Sequence, residues 1–275
     1  MTSDARDTPP AEDPAAEDPA AATPASGTAP VLAGRRVVVL GGASGIGLAT
    51  VRAAATAGAA AVAVLDADGA GAARAADEVR HLGVTAYSRQ VDVTVEIEVA
   101  DAFGGVAAAW GGIDAVLHVA GIMQGQGLDV TGVPIELWHR VLSVNLTGPF
   151  LVAKHAVPHL AAGTGVLVLV GSKAGVLTGS GSVPYGASKG GLHGLALTLD
   201  RQLRPRGVRV HALCPGDIDT PLMRRSLDEA RTNGVDAGRV AGIEADLGRP
   251  EDVASALVLL AAPLSASITG TVYTG

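Results

Sequence analysis

The chain has 275 residues, a formal net charge of −7, one cysteine and 48% hydrophobic residues, enough for one large domain with a substantial core. A lone Cys214 excludes a disulfide framework or a cysteine zinc site, and 3% aromatic content without a basic block argues against surfaces that stack bases or track phosphates. No run of about 18 strongly apolar residues appears, so neither membrane nor nucleic-acid binding is expected.

Residues 1–30 are mostly Ala, Pro, Asp, Glu, Thr and Ser. Six acids (Asp4, Asp7, Glu12, Asp13, Glu17, Asp18) and Arg6 give this stretch −5 and leave −2 for the rest. Such a composition cannot bury enough surface to offset its ordering entropy, so a disordered acidic tail is expected. It lacks the basic start and apolar stretch of a secretory signal and is too acidic for a transit peptide, which points to a cytoplasmic protein.

From Gly34 to Gly275 short apolar runs alternate with alanine-rich amphipathic stretches, the pattern of a parallel sheet with crossover helices. Strands are expected at 36–40 (RVVVL), 61–65 (AVAVL), 84–88 (VTAYS), 113–118 (IDAVLH), 165–170 (GVLVLV), 208–213 (VRVHAL) and 267–273. Helices are expected at 46–58, 70–82, 95–110, 134–160, 184–203 and 250–260, with Pro134 and Pro184 in first turns and Pro158 ending or bending its helix. The fold class is α/β: a single doubly wound Rossmann-type domain, a seven-stranded parallel sheet with helices on both faces. Residues 217–248 break the rhythm and read as an irregular insertion, a candidate substrate lid whose rival reading is a flexible loop.

The first strand runs into LGGASGIG, with Gly41, Gly45 and Gly47 placed where the next helix opens. Glycines there permit a tight turn, while free amides and the helix dipole attract a pyrophosphate. Asp66 follows Gly47 by 19 residues at the end of the second strand. It is placed to accept hydrogen bonds from adenosine ribose hydroxyls and to repel a 2′-phosphate. With no Arg or Lys in the 42–44 turn or directly after Asp66, NAD is preferred over NADP. Asp92, in VDV, is similarly placed for the adenine. Helix capping is the structural alternative for both aspartates, a role Asp68 could equally fill.

In VPYGASKGG, Tyr185 and Lys189 lie four positions apart, on one face of a helix, so the ammonium could sit beneath the phenol and favour phenolate. Alone, the spacing fits a surface pair equally well. Ser172 stands 13 residues before Tyr185, and Asn145 stands 27 before Ser172. With these residues the chain resembles the short-chain dehydrogenases/reductases in their compact single-domain form. The resemblance implies a catalytic set of Asn145, Ser172, Tyr185 and Lys189. It also implies cofactor contacts from Gly41, Ser44, Gly45, Ile46, Gly47, Asp66, Asp92, Val93, Ala120 and Gly121, from Tyr185 and Lys189, and from a nicotinamide-side loop of Pro215, Gly216, Ile218 and Thr220. Asn145 would hold a water linking Lys189 to solvent. Assembly as a tetramer or dimer is implied as well, through small-residue faces of the helices bearing Asn145 and Tyr185.

Tyrosine ordinarily titrates near 10, so at neutral pH about one in a thousand is phenolate. A nearby Lys189 ammonium and the nicotinamide's positive charge would lower that cost. Tyr185 would then take a proton from an alcohol as hydride leaves, with Ser172 hydrogen-bonded to the substrate oxygen. The expected activity is NAD(H)-dependent interconversion of a secondary alcohol and a ketone. The alternatives are an NADPH-dependent 3-oxoacyl reductase and a non-catalytic nucleotide-sensing protein. Substrate choice falls to residues 123–131, 173–184 and the lid, where Arg224 and Arg225 could attract an acidic substrate. Three departures from the family pattern stand out: Leu40 for a threonine, His118-Val119 for two asparagines, and a TVYTG ending. His118 reads as structural. His155 and His159 are spaced as a metal pair, but Pro158 and the lack of a nearby acid argue against zinc, and no metal is expected.

Overall fold

Each of the seven apolar runs forms a strand in the computed structural model, which describes residues 1–2 and 30–274. The tail expected over residues 1–30 lies almost wholly outside the described residues. The strands are β1 (Arg36–Leu40), β2 (Ala61–Asp66), β3 (Thr85–Gln90), β4 (Ala115–His118), β5 (Val166–Val170), β6 (Arg209–Cys214) and β7 (Gly270–Tyr273). All pair in parallel, in the order β3-β2-β1-β4-β5-β6-β7. The expected doubly wound, Rossmann-type sheet is therefore present. Its order reverses between β1 and β4, and a ligand crevice opens at such a switch point beyond the strands' carboxyl ends.

Alternation along the strands explains why the runs are apolar at every position. Val37 and Val39 of β1 point into one core with Val62, Val64 and Leu117, beneath α1 (Gly45–Thr56), α2 (Gly69–Arg80) and α9 (Pro250–Ala261). Val38 and Leu40 point into the other with Ala63, Leu65 and Val116, beneath α3 (Glu96–Trp110), α5 (Gly148–Ala156) and α6 (Val183–Leu203). Every one of these strand side chains is fully buried, each larger one contributing about 1.5–3 kcal/mol. The central strands are thereby fixed in register, and with them the loops at their carboxyl ends.

Two segments differ from expectation. The helix expected over 134–160 is divided: α4 (Ile135–Leu142), a π-helical turn (Ser143–Thr147), α5, and a 3-10 turn (Val157–His159) that begins where Pro158 cannot continue the helix. Pro134 precedes the first turn of α4, whereas Pro184 lies within the first turn of α6. The second correction concerns residues 217–248, which are largely helical. They form α7 (Pro221–Thr232) and α8 (Ala237–Ala245). Thr220 caps α7 by accepting from Met223 N at 3.1 Å, and Asp236 caps α8 by accepting from Arg239 N at 2.9 Å. Leu227, Ala230 and Val240 bury against Met223, Val235 and Ile243 in a small core of their own. Residues 223, 227 and 230 carry helical spacing; the abundant charges around them hid it. No helix among the described residues is long and apolar enough to cross a membrane.

Candidate active site

The turn after β1 has its shape because two positions have no room for a side chain and two adopt left-handed backbone. A Cβ on Gly41 would lie 2.6 Å from Ala120 N, and one on Gly47 would lie 1.8 Å from the Gly41 carbonyl oxygen. Gly41 also adopts φ +81° and Gly45 φ +52°, in the left-handed region. Ser44 precedes α1 in extended geometry with its hydroxyl making no cap, so the first amides of a 12-residue helix face the crevice. Backbone cradle, open helix start and flanking strand fit the diphosphate of a dinucleotide.

A cleft of about 370 Å³ runs from this turn along the strand ends. Gly41, Ser44, Gly45, Ile46, Gly47, Asp66, Asp92, Val93, Ala120, Gly121 and Thr220 all line it. Asp66 accepts from Ala43 N and from Asp68 N, each at 2.9 Å, and so braces the glycine turn while facing the cleft. Capping of α2 belongs to Asp68, which accepts from Gly71 N at 2.9 Å. Asp92 accepts from the amide and hydroxyl of Thr94 at 2.8 and 2.7 Å, a local turn that leaves it at the cleft wall. Arg225 of α7 is the one basic side chain lining this cleft among the described residues. It is remote in sequence from both Gly41 and Asp66, so the residues flanking them do not reveal it.

A second cavity, about 390 Å³, adjoins the first and shares Ile46, Val119, Gly121, Thr220 and Leu222 with it. Ser172, Tyr185, Lys189, Pro215, Gly216 and Ile218 line it. The two spaces thus place the expected catalytic hydroxyls at the end of the expected cofactor cleft. Ser172 follows β5, and Tyr185 begins α6, whose Ser182 cap accepts from Tyr185 N at 3.3 Å.

The electrostatics add an opposing effect that the spacing does not reveal. Burial pushes the Tyr185 phenol up to about 12; the Ser172 side chain opposes this and the Asp217 carboxylate adds to it. Lys189 stands beneath the ring, its Nζ 5.6 Å from the ring centre, and donates to the Val170 carbonyl at 2.9 Å. Burial also lowers Lys189 to about 8, since the ammonium is removed from water.

Asn145 is fully buried in the π-helical turn. Its Nδ2 donates to the Ile122 carbonyl at 2.8 Å and to Ser188 Oγ at 3.0 Å, while its Oδ1 accepts from Ile122 N at 2.8 Å. The side chain therefore clamps the loop after β4. A Cβ on Gly121 would lie 3.3 Å from Asn145 Oδ1 and 3.5 Å from Lys189 Nζ, so the three groups meet. One Oδ1 lone pair is left for the water that the resemblance implies.

All three expected substrate segments reach the second cavity: Met123 and Gln126, then Lys173 and residues 178–181, then Leu222, Met223, Leu227, Arg239 and Ile243 from α7 and α8. Of the arginines singled out from the sequence, Arg224 pairs with Asp219 at 2.8 Å on the surface and Arg225 faces the other cleft. Arg239 faces the substrate cavity instead. His118 is fully buried with neither ring nitrogen bonded, and burial with the Lys189 charge lowers it to about 3, a neutral structural histidine. Contrary to the expectation of no nearby acid, Glu96 reaches His155 at 3.0 Å; it also binds Lys154 at 2.6 Å. Among the described residues no three metal-ligating side chains gather.

A family model described as enoyl-(acyl carrier protein) reductase matches residues 41–274. The chain is 33% identical over 247 residues to a D-beta-hydroxybutyrate dehydrogenase of Rhizobium meliloti (strain 1021), covering 86% of this chain and 95% of that protein. It is 36% identical over 245 residues to a cis-4-hydroxycyclohexanecarboxylate dehydrogenase of Sinomonas cyclohexanicum, covering 87% and 94%. Its fold matches the crystal structure of a short chain dehydrogenase from Burkholderia cenocepacia J2315 in complex with NADP, with a TM-score of 0.77 and 28% identity over 88% of this chain and 96% of the other.

Proposed function

The chain belongs to the short-chain dehydrogenase/reductase family, whose members use a nicotinamide cofactor, and from that premise we propose that it interconverts a secondary alcohol and a ketone with NAD(H). The observation that carries the reading is the junction of the two cavities, with Ser172, Tyr185 and Lys189 on one side and the glycine turn on the other. Relatives named as dehydrogenases of hydroxylated compounds support the reaction class.

When bound, the nicotinamide ring supplies the hydride acceptor for oxidation or the donor for reduction. Tyr185 takes the hydroxyl proton in the first direction and returns it in the second. Ser172 donates a hydrogen bond to the substrate oxygen as its charge changes. Lys189 holds a positive charge beneath the ring, and Asn145 is a positioning residue that fixes the Ile122 backbone beside it. The helices α7 and α8 cover the substrate side as a lid.

The choice of NAD rests on Asp66, whose carboxylate lines the cleft without a basic side chain beside it in sequence. A ribose 2′-phosphate placed there would meet like charge. A panel of secondary alcohols and ketones, assayed with both cofactors by nicotinamide absorbance, tests the reading. We expect kcat/KM with NAD to exceed that with NADP by at least about tenfold, a difference of roughly 1.4 kcal/mol. Equal or reversed preference would favour the NADPH-dependent 3-oxoacyl reductase, a reading that the NADP-bound structural relative keeps in play.

Arg225 belongs to the same proposal. A Cβ on Gly45 would touch the Thr220 side chain at 3.1 Å, so the start of α7 abuts the phosphate turn, and Arg225 follows one helical turn later. It is therefore placed for the diphosphate rather than the adenosine end. Replacing Arg225 with alanine is expected to raise KM for either cofactor about tenfold with kcat nearly unchanged, as for a lost charge-assisted hydrogen bond. A fall in kcat alone would assign the residue to lid movement instead. The expected homo-oligomer finds support in exposed Phe150 on α5 and Leu197 on α6, and light scattering checks it.

A further inference from the structure

The lining of the substrate cavity is mostly small or apolar, yet it includes an arginine with no protein counter-ion. Besides Lys189 its charged residues are Lys173, Asp217 and Arg239. Partial desolvation raises Asp217, and the Lys173 charge is what lowers it again, so those two face each other electrostatically. Arg239, a solvent-exposed residue of α8 that also lines the cavity, has no such protein counterpart. Among the described residues its guanidinium makes no ion pair and no hydrogen bond, although acids are plentiful on α7 and α8.

Those acids are committed elsewhere. Asp219 binds Arg224, while Asp228 and Glu244 bind Arg231. Asp236 caps α8 through a backbone amide. Glu229 accepts from the amides of Gly125 and Gln126, at 2.9 and 3.3 Å. This last contact fixes the loop that presents Gln126 to the same cavity wall as Arg239. The Gln126 carboxamide is pinned over Gly181, where a Cβ would lie 2.4 Å from its Nε2, and its Oε1 is buried without a partner. Nε2 is the donor end of the carboxamide, with two N–H groups to offer.

We propose that the substrate is a secondary alcohol, or its ketone, carrying a carboxylate, and that Arg239 receives this carboxylate with Gln126 donating beside it. The proposal rests on the oxidoreductase reading above and adds the chemical class to it. Arginine suits the task because its planar fork matches two carboxylate oxygens. Placing the cation on α8 means that an anionic substrate draws the lid onto the site, whereas a neutral alcohol of the same shape does not.

The experiment pairs each of several hydroxyalkanoates and hydroxycycloalkanecarboxylates with its methyl ester and measures kcat and KM at saturating cofactor. The wild-type protein is expected to favour acid over ester by at least about tenfold in kcat/KM, mainly through KM. In Arg239→Ala the acid-to-ester ratio should fall to near one, and Arg239→Lys should restore part of it. Because the Arg239 guanidinium makes no ion pair or hydrogen bond among the described residues, melting temperatures should agree across the three proteins, which separates loss of recognition from loss of fold. A wild type that prefers esters, or an Arg239→Ala variant that keeps the full acid preference, overturns the anion assignment alone. Absence of turnover on acids, esters and neutral alcohols alike would overturn the oxidoreductase reading itself, and this one with it.

Discussion

Replacing Tyr185 with phenylalanine is expected to reduce turnover about a thousandfold in both directions while leaving cofactor binding intact. A positioned acid/base contributes roughly 10²–10⁴ in rate, and no second group in the cavity is suited to the proton. His118 is neutral down to about 3 and walled off from solvent, and Lys189 already donates to a carbonyl. The fold should survive, because the ring stays in place and only one hydroxyl is lost, worth about 1 kcal/mol. NADH fluorescence enhancement and melting temperature provide the controls. Since burial holds the phenol near 12 in the free protein, oxidation by the wild type should quicken with rising pH over the neutral and alkaline range. The Phe variant should lose this slope. Wild-type turnover in the variant would sink the mechanism, and a loss of NADH binding would move Tyr185 from proton transfer to cofactor anchoring.

The sheet was legible because strands buried on two faces leave an unmistakable signal: no polar position interrupts Val37, Val38, Val39 and Leu40, and each ends in one core or the other. The glycine turn was legible for a related reason, since Gly47 has a backbone oxygen where a Cβ would be. Other features were not. The division of the 134–160 helix depends on Asn145 turning inward to clamp Ile122, a tertiary bond that no local pattern announces. Helices α7 and α8 were hidden because their apolar faces are narrow and cover only each other and the cavity. Arg225 and Arg239 could be counted in the sequence but not assigned, because which cavity an arginine faces is decided by the capping of α7 at Thr220 and α8 at Asp236. The burial of the Tyr185 phenol was not legible for the same kind of reason. Spacing brings Lys189 near the phenol, but burial of both groups leads the net shifts.

Lys189→Met should produce a protein that is more stable and nearly inert. The ammonium, ordinarily near 10.5, is held at about 8 by burial, so at pH 7 the folded state carries a charge it would shed more readily than the unfolded chain. The difference corresponds to a penalty of roughly 3 kcal/mol below pH 8, where both states bind the proton. Between about 8 and 10.5 the unfolded chain still holds a proton that the folded protein has released, so wild-type stability rises with pH through this window, and above it the penalty is gone. Methionine has a similar length and no charge to bury. Against that gain stands the hydrogen bond from Nζ to the Val170 carbonyl, whose loss costs about 1 kcal/mol, leaving a net stabilisation of about 2 kcal/mol at pH 7. In a domain of this size that is a rise in Tm of about 4–8 °C. Thermal melts at pH 7 and pH 10 should show the gap between variant and wild type narrowing as the pH increases. A variant less stable than wild type at pH 7 would mean that the buried charge is not strained, and the tension between stability and catalysis inferred for this residue would not exist. If the gap does appear, Lys189 is retained for its charge beside Tyr185 at a direct cost to the fold, and turnover in the variant should fall by a factor comparable to that of Tyr185→Phe.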